Sequence, residues 1–214
     1  MASNGGSDLI YLPGPGAGAL ARRIVDLLAR EDYVGALFVD DALGQVPGAL
    51  PLSAVGLKGA ARTPTPSIVV GFRSFTTGCA KPETCAAEVA DTALQQGQGI
   101  HGSFSRADTH NFMAAVGPDF RRGYVDPAPV SNLDVGMTAA HLLGLKIAPK
   151  GRLTGRVIAE ALGKGEAAPA VKPLRLRSSP AANGFVTVLA GQEAAGRRYY
   201  DAAGMPDRTF GLAP

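Results

Sequence analysis

The chain has 214 residues, 21 Lys and Arg against 18 Asp and Glu, and a formal net charge of +3. At 46% hydrophobic and 18% charged it falls outside the disordered class and is long enough to bury a substantial core. No run approaches the roughly 20 apolar residues of a membrane span. Basic residues are scattered, with short clusters at Arg22-Arg23, Arg121-Arg122 and Arg197-Arg198. A nucleic-acid partner, which would call for a contiguous basic face, is therefore not expected.

Leu9-Ile10-Tyr11-Leu12, stopped by Pro13-Gly14-Pro15-Gly16, predicts a short strand running into a turn. Leu20, Ile24, Leu27 and Leu28 then recur at helical spacing between charged residues, predicting an amphipathic helix over residues 17–31. Residues 35–39 are apolar on both faces and end at Asp40-Asp41, as in a strand buried between layers. Helix followed by buried strand makes α/β the expected class.

Residues 42–66 are rich in Gly and Pro and form a long irregular connection, and residues 67–75 are a β-branched strand. A short helix is predicted over 86–94 and a strand over 111–116. Ser131-x-x-Asp134 resembles a capping box and opens a helix with Leu133, Met137, Ala140 and Gly144 on one face, Gly144 ending it. A short helix over 154–162 is closed by Gly163. A linker over 164–173 follows, then a hairpin of residues 185–190 and 197–202 across 191–196.

Cys79 and Cys85 leave two alternatives: a local disulfide in an oxidising compartment, or two free thiols in a reducing one. No signal peptide is visible after Met1, which favours free thiols and a cytoplasmic chain if expressed as given. Two thiols do not complete a zinc site.

The densest chemistry lies in residues 99–111. His101 and His110 flank Asp108, and imidazole is both a common metal ligand and a general base. Ser103, Ser105 and Thr109 have no base identified by spacing. Gly97, Gly99 and Gly102 lack the strand-to-helix context of a phosphate loop. Arg106 is read as a solvated loop residue, and His141 as a structural or surface residue of its helix.

Three elements in this order resemble the C-terminal part of the catalytic domain of type I phosphodiesterases and nucleotide pyrophosphatases, of the alkaline phosphatase superfamily. They are His101-Gly102, the apolar run into Gly117-Pro118-Asp119-Phe120, and Asn132-Leu133-Asp134 opening the helix that ends in Leu142-Leu143-Gly144-Leu145. The resemblance covers most of residues 1–163. It implies an α/β fold that is the C-terminal portion of an alkaline-phosphatase-like sheet with helices on both faces. Residues 1–163 would be the partial catalytic domain and 174–214 a small β-rich tail.

The resemblance also implies a two-zinc centre acting on a phosphate ester or nucleotide. It places His101 as a ligand of one zinc, with Asp108 and His110 behind it. No nucleophile and no further ligand is assigned, because the family's Asp-x-x-x-His and Asp-His pairs are missing here. Asp40-Asp41 has no His nearby. The alternatives are an inactive fragment or binding module, and a phosphomonoesterase or sulfatase of the same superfamily. Because the runs 35–39 and 67–72 need cover on both faces, self-association or a partner segment is expected.

Overall fold

The computed structural model describes residues 1–59, 62–95, 98–148, 151 and 155–213. The chain is a mixed α/β protein in which strands predominate. Its centre is a five-stranded sheet made of β1 (Ala2–Ser3), β2 (Ser7–Ile10), β3 (Val34–Val39), β4 (Leu50–Pro51) and β5 (Ile68–Phe72), in the order β1-β2-β5-β3-β4. All neighbours are antiparallel except β3 and β4. The helix-then-strand pattern therefore does not produce a parallel sheet.

Helix α1 (Ala17–Leu28) crosses one face of this sheet. Ala21 and Val25 are buried and Ile24 and Leu28 pack against the same cluster, with Leu37 and Val39 of β3 and Ile68 and Val70 of β5 beneath. Leu20 and Leu27, expected on the buried stripe, are exposed. The stripe is rotated so that a small residue, Ala21, sits where helix and sheet approach. Period-2 alternation sends Ala36, Phe38 and Val69 to the opposite face.

That opposite face is covered by a second sheet, not by helices. Before it, β6 (Ser74–Thr76) and β7 (Ala86–Glu88) form a small hairpin, in place of the helix expected over 86–94. Cys79 and Cys85 lie in its connection and are joined by a disulfide, Cα to Cα 6.4 Å, which corrects the expectation of free thiols. Helix α2 (Arg106–Thr109) is one turn long, and residues 111–116, expected as a strand, have no regular structure. Phe112 is 93% and Val116 98% exposed there, with no neighbouring strand to pair with.

Helix α3 (Asn132–Leu142) starts at the predicted capping box: the Ser131 side chain accepts from the backbone N–H at Asp134, and Asp134 accepts from Ser131 N at 2.8 Å. Its buried residues are Asp134, Thr138 and Ala140, whereas Leu133 of the expected face is 49% exposed. The reason lies in residues 155–158, which run alongside: Arg156 N donates to Asp134 and Ile158 N to Thr138 Oγ1. Of the helix expected over 154–162, the first residue lies outside the described residues. Only a 3-10 turn at Ala159–Ala161 forms in the remainder.

The C-terminal sheet consists of β8 (Val171–Arg177), β9 (Val188–Ala194) and β10 (Arg197–Gly204), in the order β10-β9-β8. β8 begins inside the expected linker, and the β9–β10 turn is Ala195-Gly196. Leu189 and Ala203 pack on Phe38 and Val69, together with Leu176, Tyr200 and Phe104. The tail also closes the edge of β3 beyond two-residue β4. Leu37 N donates to Thr187 Oγ1 at 3.1 Å, Thr187 Oγ1 donates to Gly48 O at 2.7 Å, and Met205 N donates to Gly35 O at 2.7 Å. Both faces of residues 35–39 and 68–70 are thus covered from within the chain.

Candidate functional site

Residues 101–110 lie against the end of the central sheet, and small residues hold them there. Gly6 N donates to His101 O at 2.9 Å. A Cβ on Gly6 would stand 2.7 Å from Ser103 N, so this approach requires glycine. Gly102 has φ +96°, and a Cβ there would stand 2.6 Å from the Asn4 side chain. Phe104 plugs the core, its ring 4.7 Å from that of Phe38.

Ser103 Oγ donates to Glu88 Oε1 at 2.5 Å, and buried Ser105 bonds to the same oxygen. These two hydroxyls serve to tie the loop to β7. Beyond them, Arg106 pairs with Asp201 at 3.0 Å and Thr109 bonds to Asp201 O, fastening α2 to β10. Arg106 is thus held by a carboxylate of the fold instead of standing free in a solvated loop.

The His101 backbone is held while its side chain is exposed. Burial pushes the Asp108 carboxyl above its ordinary value, against the opposing pull of hydrogen bonds from Ser103 and of His101. His110 is directed elsewhere, its Nδ1 2.6 Å from Glu83 Oε2 in the disulfide-closed loop. His110 thus has a partner of its own, away from His101. His141 is exposed on α3.

The Asp40-Asp41 pair is engaged within the fold. Asp40 accepts from Ala42 N and pairs with Lys58 at 2.5 Å, and Asp41 accepts from Ser53 N at 3.1 Å. Burial would raise the Asp40 carboxyl, but Lys58 and the Ala42 N–H outweigh it and hold it below its ordinary value. Among the described residues, no three His, Cys, Asp or Glu side chains are placed together to hold a metal ion.

A groove of about 700 Å3 borders Asp108. Its walls are the turn after β4 with Lys58, residues 108–113, the start of α3, and the β9–β10 hairpin with Arg197 and Arg198. The lining is of mixed charge: Lys58 is paired with Asp40 and Arg198 with Glu193 at 3.2 Å, and Arg197 shares the space with the carboxylates of Asp108 and Asp134. The sequence shows no local signal for it, since Lys58 and Arg197 are 139 positions apart. Asp8 was also unanticipated. It is nine-tenths buried on β2, and burial together with the charge of Asp91 raises its carboxyl.

Comparisons with protein-family models, curated proteins and solved structures return no match. Among the described residues, no helix is long and apolar enough to cross a membrane.

Proposed function

We propose that this chain forms the C-terminal part of an alkaline-phosphatase-like catalytic domain, that of a zinc-dependent phosphodiesterase or nucleotide pyrophosphatase, and contributes His101 as one zinc ligand. The observation that carries this reading is the ordered series His101-Gly102, Gly117-Pro118-Asp119-Phe120, Asn132-Leu133-Asp134 and Leu142-Leu143-Gly144-Leu145. The held backbone and exposed side chain of His101 support it, as does the groove beside Asp108 that Arg197 lines. A phosphate ester in that groove would meet the guanidinium group of Arg197.

Among the described residues no group of three His, Cys, Asp or Glu donors surrounds His101. A catalytic zinc takes three protein ligands, so His101 alone does not complete one. No step of hydrolysis is therefore assigned to this chain alone. A catalytically inactive binding module is the second reading. It is favoured by the engagement of Asp40 by Lys58 and of Asp41 by Ser53.

Metal analysis and hydrolysis of bis(p-nitrophenyl) phosphate test the proposal. The chain by itself is expected to hold less than one zinc and to show no turnover. Two tightly held zinc ions with turnover would contradict the assignment of a single ligand. Binding of a phosphate diester that is weakened at least tenfold by Arg197→Ala, with no turnover when the chain is expressed with its in-frame upstream sequence, would favour the binding module.

A further inference from the structure

The β6–β7 hairpin grips the loop that carries His101 and Asp108 at two points. At its base, Glu88 receives Ser103 and Ser105. At its tip, Glu83 meets His110 at the end of α2. The tip is a 3-10 turn, Pro82–Thr84, and Cys79–Cys85 closes the loop around it. Thr84 N donates to Lys81 O at 2.9 Å and Thr77 Oγ1 to Cys85 O at 2.7 Å, local bonds that hold the turn inside the closed ring. Cys79 is exposed and Cys85 half-buried, so a soluble thiol has access to the bridge.

We propose that the Cys79–Cys85 disulfide is a redox latch on residues 105–113, whose later part lines the groove. A dithiol reductant attacks one sulfur, the S–S bond breaks through a mixed disulfide, and the second thiol of the reductant completes the exchange. The reductant leaves as its own disulfide, and Cys79 and Cys85 each gain one electron and one proton. The short ring then opens, Glu83 is no longer presented to His110, and the tip contact is lost. The base contact through Glu88 remains, as does the anchorage of Arg106 and Thr109 on Asp201.

Loosening is therefore confined to the segment ending α2 and running into Asn111, Phe112 and Met113, all of which line the groove. The coupling rests on the proposed reading only for its consequence in catalysis. It is measured on the chain alone, so either proposal can fail without the other.

Amide hydrogen exchange with and without dithiothreitol tests it. Thr109 N donates to Ser105 O and His110 N to Arg106 O in the closed state. Reduction is expected to lower protection at these amides roughly tenfold while β3 and β5 keep theirs. Glu83→Ala in the oxidised chain should reproduce the loss with the bridge intact. The proposal is overturned if reduced and oxidised chains exchange alike over residues 105–113, or if Glu83→Ala changes nothing there. Loss of protection throughout β3 and β5 on reduction would also overturn it, because the bridge would then be a support of the whole fold.

Discussion

Gly102 and His101 divide one task between them. The glycine takes the left-handed backbone conformation and packs on Asn4, and this leaves the neighbouring imidazole open to solvent. Gly102→Ala should cost about 1–3 kcal/mol, because it adds backbone strain to a 2.6 Å encounter with the Asn4 side chain. Urea denaturation checks this, and an unchanged midpoint would mean that the loop does not rest on the sheet as described. Asp108 and His101 share a loop that the sequence marked by its density of polar groups. The pairing of His110 with Glu83 was not legible, because nothing in residues 99–111 points to a partner 27 positions upstream.

Arg156 organises α3 and the segment beside it. Its guanidinium meets Glu160 at 2.7 Å and donates to Tyr199 OH at 2.9 Å and to Pro129 O at 3.2 Å, nearly out of contact with water. Burial would raise the Glu160 carboxyl, but the hydrogen bonds and charge of Arg156 hold it below its ordinary value. That contribution is full above the ordinary carboxylate range and is lost as pH falls through the depressed value. Asp126 beside it runs the other way. Burial and the negative charge of Glu160 raise its carboxyl, so the fold favours its protonated form, a contribution full below the ordinary carboxylate range and lost as pH rises through the raised value.

Glu160→Gln should therefore cost about 3–5 kcal/mol at neutral pH, since it leaves a buried guanidinium without its counter-charge. Asp126→Asn should stabilise the chain at neutral pH, with the gain disappearing below the ordinary carboxylate range. Thermal melts of both variants against pH check the two signs together. The capping box of α3 could be read from Ser131 and Asp134 alone because it is local. The buried face of the helix could not, because Asp134 and Thr138 are buried by residues 155–158.

Across the whole molecule, the central strands were legible because apolar runs and β-branched residues reveal burial directly. The role of the tail was not, because Leu37 and Thr187 meet across 150 positions. Thr187→Val should cost about 2–3 kcal/mol by leaving Leu37 N–H and Gly48 C=O buried without partners. The expectation of association changes its location accordingly. With the faces of β3 and β5 covered, the most exposed apolar side chains among the described residues after Met1 are Phe112, Val116, Val125 and Leu143. Concentration-dependent association in sedimentation velocity, reduced by Phe112→Ser with Leu143→Ser, is the expected outcome. A monomer at every concentration would show that these side chains are simply solvated.

On the proposed reading, His101 is one ligand of a zinc centre that takes further ligands. The most direct measurement is zinc content and bis(p-nitrophenyl) phosphate turnover of the chain expressed with the in-frame coding sequence upstream of Met1, beside His101→Ala and His141→Ala. The account predicts two zinc ions and turnover in the unaltered protein. It predicts loss of zinc and a fall in rate by orders of magnitude for His101→Ala, because no neighbouring side chain replaces the imidazole, and no change for His141→Ala. Full zinc content and undiminished turnover in His101→Ala would contradict it.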